Sequence, residues 1–129
     1  MTKFYIASSL KNKNAVREVS NHLSMKGFTQ TYDWTQNERV ETLEDLKLIG
    51  EEELSAVLEA DFIIVMLPAG KGSHIEFGVA LGQGKKIYLY ADNDEMNNVE
   101  TTSTFYHLNN VEKIVGSKEE LVERVALHK

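Results

Sequence analysis

The segment from Asp61 to Leu67 reads DFIIVML, an uninterrupted apolar run behind a single acid. A strand with one solvated face alternates apolar and polar residues, whereas a strand covered on both faces has no need to alternate. A run of this length suits a strand better than a helix. The segment therefore predicts a central strand of a parallel sheet with a layer of structure on each side.

Strand-like and helix-like segments alternate along the rest of the chain. The other short runs rich in β-branched or aromatic residues are Lys3 to Ala7, Phe28 to Tyr32, Ile87 to Tyr90 and Val111 to Val115. Helical patterns cover Asn14 to Lys26, Thr42 to Ile49, Glu51 to Glu59 and His74 to Gln83, and Ser117 with Glu120 forms a capping box for a last helix. Gly27 and Gly84 are stop signals, and Gly50 is expected to interrupt the second helical pattern. The alternation predicts one α/β domain over residues 1–129, a flavodoxin-like or Rossmann-like three-layer sandwich with a parallel sheet of about five strands.

Composition excludes several classes of function. The net charge of −6 and the scattered lysines argue against a nucleic acid polymer as partner. No apolar run approaches the roughly 20 residues that cross a bilayer, so no membrane association is expected. The absence of cysteine suits a reducing cytoplasm. The four histidines lack metal-ligand spacing, and neither a metal nor a cofactor is predicted.

Ligands of open parallel sheets bind outside the carboxyl ends of the strands. Four polar segments follow those ends: Ser8 to Asn14, Asp33 to Thr35, Pro68 to Glu76, and Ala91 to Thr104. The predicted topology therefore brings these segments together at one edge of the sheet.

Glu76 is the most informative residue of these segments. We place it in the first turn of a helix, where the positive end of the helix dipole favours an ionised carboxylate suited to nucleophilic attack. A purely structural alternative is open, because Ser73 and Glu76 have the spacing of a capping box. Gly78 and Gly82, four residues apart, would let the same helix lie close to the sheet.

Other polar residues at this edge have less specific patterns. Ser8, Ser9 and Lys11 lie in a loop that enters a helix, a position suited to a phosphate or a sugar hydroxyl. Asp33 follows the second strand, and Trp34 could stack on a base or cover the core or an interface. His74 points about 200° away from Glu76 on an ideal helix and is read as a rim residue. Asp61 lies at the opposite end of its strand and is read as structural.

Three segments carry a resemblance to a known family: Phe4 to Ser9 (FYIASS), Ala60 to Val65 (ADFIIV), and Gly72 to Gly82 (GSHIEFGVALG). In order and spacing, from Phe4 to Tyr90, the chain resembles the nucleoside 2-deoxyribosyltransferase-like superfamily. That group includes deoxyribosyltransferases and nucleoside 5′-monophosphate N-glycosidases. The resemblance implies a small nucleoside or nucleotide substrate and a homodimer or larger homo-oligomer.

The resemblance also implies roles for individual residues. Glu76 matches the glutamate that attacks the anomeric carbon, and Tyr5 matches a tyrosine that holds it. Ser9 and Lys11 match positions near a 5′-phosphate, and Glu53 matches an acidic residue beside the departing base. Residues expected to line the rest of the substrate site are Ser8, Asp33, Trp34, Gly70, Gly72, Ser73 and, from a neighbouring subunit, Ser103.

Two departures from the family pattern bear on the reaction. Many deoxyribosyltransferases have a base-reading aspartate where this chain has Gly70, which argues against base exchange and leaves hydrolysis open. Glu53 replaces a shorter aspartate, and its neighbours Glu51 and Glu52 leave the register open by one residue; Asp33 is the other residue that could assist the base. The alternatives are a glycohydrolase of NAD-type dinucleotides and a non-catalytic sensor of a nucleotide derivative. A receiver domain lacks support, because Ser8 and Ser9 stand where it would carry acids.

Overall fold

The computed structural model describes residues 2–128. Five parallel strands form one sheet in the order β2-β1-β3-β4-β5. The strands are β1 (Lys3–Ser8), β2 (Thr29–Gln30), β3 (Phe62–Met66), β4 (Lys86–Ala91) and β5 (Val111–Val115). Every residue of β3 is buried, as the apolar run predicts for a strand covered on both faces. The α/β sandwich is therefore confirmed.

Four helices cover the two faces of the sheet. They are α1 (Lys13–Met25), α2 (Leu43–Glu59), α3 (Lys71–Gly82) and α4 (Lys118–Val125). Helix α1 packs against α4, and α2 packs against α3. Within the described residues 2–128, no helix is both long enough and apolar enough to span a membrane.

The structure corrects three predicted segments. Helix α2 continues through Gly50, because one glycine costs only about 1 kcal/mol in a helix that other residues hold. Strand β2 shortens to two residues at the edge of the sheet. Helix α3 begins at Lys71 rather than His74, which changes the position of Glu76 within it.

The strand order places a topological switch point between β1 and β3. From β1 the chain crosses through α1 to β2 on one side, and β3 lies on the other side of β1. The carboxyl ends of the two strands are in register, with Ser8 paired to Met66. Ligands of doubly wound sheets bind at this kind of point. Asp61, at the opposite end of β3, accepts a hydrogen bond of 2.8 Å from the backbone N–H of Lys3, in agreement with its structural interpretation.

Candidate active site

A cavity of about 480 Å³ lies at the carboxyl ends of β1 and β3, and we call it the first cavity. Its wall is formed by the β1–α1 loop, the β3–α3 loop, one side of α2 and the turn after β2. The lining residues are Ser8, Ser9, Leu10, Lys11, Trp34, Glu53, Gly70, Lys71, Gly72, Ser73 and Glu76. Most of the residues predicted for a substrate site are thus brought together.

Hydrogen bonds fix the two loops against each other. The Ser8 hydroxyl donates to the carbonyl oxygen of Met66 at 2.7 Å and accepts from the Asn12 side chain at 3.0 Å. The backbone N–H of Ser9 donates to the carbonyl oxygen of Pro68 at 3.0 Å. Because the loops are held by main-chain and side-chain bonds, this wall of the first cavity is preorganised for a ligand.

Glu76 projects from α3 toward β1, where it meets Tyr5. The Tyr5 hydroxyl donates a hydrogen bond of 2.7 Å to Oε2 of Glu76. Tyr5 is fully buried in the middle of β1, so its hydroxyl has a fixed position. The bond occupies one carboxylate oxygen and leaves Oε1 as the atom that faces other partners.

The capping-box interpretation of Ser73 and Glu76 is wrong. Gly70 is the N-cap of α3, and its backbone N–H donates to the Ser73 hydroxyl oxygen at 2.8 Å. Glu76 is therefore the sixth residue of the helix and lies in its second turn. Glu76 takes no part in capping the first turn, so its carboxyl is available to line the cavity.

Burial raises the pKa of Glu76 to about 8. The hydrogen bond from Tyr5 lowers this pKa, and the charge of Glu53 and a hydrogen bond with it raise it. We expected the helix terminus to favour the ionised form, but its effect fades beyond the first turn and burial dominates in the second. Burial and the neighbouring Glu76 also raise the pKa of Tyr5, which keeps the phenol a neutral donor.

Glu53 supplies a second carboxyl to the same place. It projects from α2, is half-buried, and lies close enough to Glu76 for a hydrogen bond between the two carboxyls. Burial raises the pKa of Glu53 as well. Its neighbours Glu51 and Glu52 are exposed and line a different groove. Of the three consecutive glutamates, Glu53 alone lines the first cavity, and it forms with Glu76 a pair that can share one proton.

Two lysines line the same cavity. Lys11 comes from the first loop, as predicted, and Lys71 from the first position of α3. Sequence reasoning missed Lys71, although a signal was present: a lysine between two glycines at a helix N-terminus is placed against the helix dipole and has no evident structural role there.

Other predicted residues lie at the edge of the cavity or away from it. The Asp33 carboxylate caps the turn that follows it, accepting from the backbone N–H of Thr35 at 3.0 Å, and is not part of the cavity wall. Ser103 caps a separate turn and is likewise not part of this wall. Trp34 lines the cavity, but it is only 5% exposed and its indole N–H donates to the carbonyl oxygen of Ile6 at 2.7 Å. It therefore forms a rigid wall.

His74 is on the outside of α3, consistent with a rim residue. Its Nδ1 is 2.9 Å from the carbonyl oxygen of Gly70, and its Nε2 is 2.7 Å from the hydroxyl of Tyr106. The ring thus joins the start of α3 to the turn at 104–107. Within residues 2–128, no group of three or more His, Cys, Asp or Glu side chains is placed to hold a metal ion.

The fold and the site are those of an α/β enzyme. Two paired carboxyls lie at the topological switch point of the sheet and face a pocket large enough for a small organic molecule. The family model described as nucleoside 2-deoxyribosyltransferase matches residues 4–122. The chain belongs to this family of enzymes, which confirms the resemblance found in the sequence.

Solved structures with the same fold cover almost the whole chain. The CMP N-glycosidase BcmB of Clostridium botulinum is 21% identical with a TM-score of 0.64, over 98% of this chain and 100% of that one. A 2-deoxyribosyltransferase of Leishmania mexicana is 16% identical with a TM-score of 0.68, over 99% of each chain. A conserved protein of Enterococcus faecalis V583 is 18% identical with a TM-score of 0.64, over 97% of each chain. Comparison with curated proteins gave no match.

Proposed function

We propose that this protein cleaves the N-glycosidic bond of a nucleoside or nucleoside 5′-monophosphate through a glycosyl ester on Glu76. The observation that carries the proposal is the Tyr5–Glu76–Glu53 arrangement on the wall of the first cavity. A hydrogen-bonded nucleophilic carboxylate beside a second, protonated carboxyl is what displacement at an anomeric carbon requires. The family match and the two enzymes of like fold support the same chemistry.

The first step uses the single proton that the two carboxyls share. Because burial and the neighbouring Glu53 raise the pKa of Glu76 to about 8, the shared proton first passes from Glu76 to Glu53. Glu76 is then ionised, and its free oxygen attacks C1′ as the bond from C1′ to the base nitrogen breaks. The proton of Glu53 passes to that nitrogen, so the base leaves neutral. Tyr5 keeps its own proton and stabilises the carboxylate through Oε2 until the ester forms.

Water completes the reaction in this proposal. Glu53, now ionised, takes a proton from a water molecule that attacks C1′ and breaks the ester, which releases the sugar and restores Glu76. Gly70 stands where many deoxyribosyltransferases carry a base-reading aspartate, so one side chain that would help to retain a second base is missing. We therefore favour hydrolysis over transfer; a second base added to the assay distinguishes them, because transfer would yield a new nucleoside.

The 5′-phosphate is proposed to lie between Lys11 and Lys71. Both line the first cavity with Ser9, whose backbone and side chain begin the turn before α1. Two cations in a protein of net charge −6 attract a phosphate where the rest of the surface repels it. A nucleoside should therefore react with a higher KM than its 5′-monophosphate, and Lys71→Ala should remove most of that difference.

A homodimer or larger homo-oligomer is the proposed assembly. Leu54 and Leu58 of α2 and Ile75 of α3 are exposed, and Ile75 is 68% exposed. Gly78 and Gly82 also face outward, and a Cβ added at either meets nothing within 4 Å. The expectation that these glycines pack on the sheet is therefore wrong. A helix that is apolar on both sides needs a cover, and a second copy on this face would adjoin the cavity at Lys71 and Gly72.

The test of function is base release from ribo- and deoxyribonucleosides and their 5′-monophosphates with each common base, followed by chromatography. We expect release by the wild type, loss of release by Glu76→Gln, and full activity of the surface control Glu44→Gln. Mass spectrometry of acid-quenched wild type should show a glycosyl adduct that is absent from Glu76→Gln. No base release from any substrate by the wild type would overturn the proposal, and tight binding without release would indicate a nucleotide sensor.

A further inference from the structure

A second cavity of about 470 Å³ adjoins the first and is not used by the mechanism above. The two cavities share three wall residues, Leu10, Trp34 and Glu53. Because Glu53 belongs to both walls, a ligand that extends from one cavity into the other must pass its carboxyl. The proton donor of the reaction thus stands at the boundary between two compartments of nearly equal volume.

The second cavity combines an apolar wall with a few charged and amide groups. Its apolar side chains come from α2, from the segment before α2 and from the shared wall, and they are Leu10, Trp34, Val40, Leu46 and Ile49. Its polar side chains are Lys13, Asn37, Glu38, Arg39 and Glu53. This mixture is typical of pockets that hold a planar organic molecule and select it by a small number of hydrogen bonds.

Three of the polar residues, Lys13, Asn37 and Arg39, offer hydrogen-bond donors to a ligand. The Asn37 amide oxygen accepts a hydrogen bond of 2.9 Å from the Tyr32 hydroxyl, so the amide nitrogen is the part that can serve a ligand. The backbone N–H of Asn37 also donates to the carbonyl oxygen of Trp34 at 3.1 Å, which holds the residue in place. Arg39 has five N–H donors and no acceptor. Together these residues suit an acceptor such as a ring carbonyl oxygen.

Glu38 suits the opposite kind of ligand group, a hydrogen-bond donor. Its ionised carboxylate accepts hydrogen bonds and donates none, so it suits an exocyclic amino group. A base with an amino group beside a ring acceptor, whether a carbonyl oxygen or an unprotonated ring nitrogen, satisfies Asn37, Arg39 and Glu38, as cytosine, guanine and adenine do. Uracil lacks the amino group and leaves Glu38 without a partner.

We propose that the second cavity is the base subsite, and that Asn37, Arg39 and Glu38 select a base that carries an amino group beside a ring acceptor, as cytosine, guanine and adenine do and uracil does not. The assignment rests on the proposed glycosidic activity. The sugar and phosphate then occupy the first cavity, and the bond from C1′ to the base nitrogen crosses the boundary at Glu53. That placement brings the carboxyl proton to the nitrogen that must receive it.

The test compares kcat/KM for the 5′-monophosphates of cytosine, guanine, adenine and uracil. In Arg39→Ala, the values for cytosine, guanine and adenine should fall about tenfold to a hundredfold, as expected for a lost charged hydrogen bond. In Glu38→Gln, the preference for cytosine over uracil should shrink by a similar factor. Arg124→Ala and Glu44→Gln, which change the same residue types elsewhere, should leave these values and this preference unaltered.

A binding measurement separates this proposal from the enzymatic one. On the Glu76→Gln background, calorimetry should show that Arg39→Ala weakens binding of cytidine 5′-monophosphate but not that of ribose 5-phosphate, which has no base. Val40→Phe, which fills the second cavity, should do the same. Unchanged kcat/KM in Arg39→Ala together with an unchanged preference for cytosine in Glu38→Gln, or equal weakening of ribose 5-phosphate, would overturn the assignment. If the wild type releases no base from any nucleotide, the glycosidic function fails, and the calorimetry still decides whether the cavity binds bases.

Discussion

The Tyr5 hydroxyl and the Glu76 carboxylate are joined by a 2.7 Å hydrogen bond across 71 positions of sequence. The bond links the first strand to the helix that follows the central strand. It also opposes the effect of burial on Glu76, because a donor to the ionised carboxylate lowers its pKa. Burial thus makes the Glu76 carboxyl costly to ionise, and the hydrogen bond from the buried Tyr5 phenol removes part of that cost.

Tyr5→Phe should lower kcat about tenfold to a hundredfold with little change in KM, because a hydrogen bond to a charged group contributes about 1.5–3 kcal/mol. The pKa of Glu76 should rise further, so the acidic limb of the pH–rate profile should move to higher pH. Steady-state kinetics between pH 4 and 9 measure both effects. Tyr88→Phe, whose hydroxyl contacts His128 far from the cavity, is the control. An unshifted acidic limb would contradict the role given to Tyr5.

Glu53→Gln should abolish the alkaline limb of the pH–rate profile. In the wild type, activity requires one proton on the pair, so the rate should fall as the pH rises through about 8 and the last proton is lost. Without the acid at position 53, the slower residual reaction needs only ionised Glu76. That ionisation should occur at lower pH, because the neighbouring charge that raises its pKa is removed.

Glu53→Gln also distinguishes proton donation by Glu53 from an effect of its negative charge on the pKa of Glu76. Loss of a general acid costs about 10²- to 10⁴-fold for a base that must be protonated to leave. A p-nitrophenyl glycoside with the same sugar needs no such proton, so its initial burst of p-nitrophenol should be nearly unaffected by Glu53→Gln. Later turnover should still slow, because Glu53 also activates the water. Glu52→Gln, one residue earlier on an exposed groove, should behave as wild type with both substrates. Equal losses in the ester-forming step of both substrates would show that position 53 does not protonate the leaving group.

Stability should depend on pH through Glu76. Its folded pKa of about 8 lies above the ordinary value, so the folded state binds a proton that the unfolded state releases. The resulting stability is fully present below about pH 4.5 and is lost as the pH rises toward 8, at up to about 1.4 kcal/mol per pH unit. Urea denaturation at several pH values should show a shallower decline for Glu76→Gln than for wild type. Parallel declines would contradict a raised pKa.

The sequence predicts the sheet well and the first turn of α3 poorly, for different physical reasons. The run at Asp61 to Leu67 has a pattern that burial on both faces dictates, so it identifies the central strand locally. Lys71 and Gly72 look like loop residues, because glycine is a poor helix former. They become helical because the Ser73 hydroxyl accepts a hydrogen bond from the backbone N–H of Gly70 and so closes the first turn. Residue spacing alone could not choose this arrangement over a capping box formed by Ser73 and Glu76.

The residues of the candidate site also differ in how well the sequence predicts them. Glu76 and Tyr5 could be proposed from the resemblance of short motifs, and the structure joins them by a hydrogen bond. Glu53 could be assigned only to within a residue, because the side of α2 that faces the cavity is set by how the helix packs. Apart from Trp34 and Glu53, the second cavity had no signal in the sequence, since Asn37 to Val40 is an aperiodic polar segment whose partners on α2 are brought near only by the fold.

Ile75→Asp should convert the proposed homo-oligomer into monomers. The outward face of α3 carries Ile75 beside Gly78 and Gly82, and each of these glycines costs up to about 1 kcal/mol relative to alanine in a helix. No contact with the described residues 2–128 offsets that cost, because a Cβ at either position meets none of their atoms within 4 Å. A second backbone lying against the glycines would explain both the exposed isoleucine and the missing side chains.

Two further variants distinguish an interface between copies from an exposed face that merely tolerates glycine. Gly78→Ala should raise the stability of a monomer by up to about 1 kcal/mol, whereas Gly78→Leu should block close approach of a second helix and reduce the measured mass. Light scattering with size-exclusion chromatography gives the mass for each variant, and Val99→Asp, at a residue that is 90% exposed elsewhere, is the control. If wild type, Ile75→Asp and Gly78→Leu all have the mass of one chain, the face is not an interface between copies. If Ile75→Asp and Gly78→Leu reduce the mass and also lower kcat/KM, the neighbouring copy contributes to the cavity that Lys71 and Gly72 border.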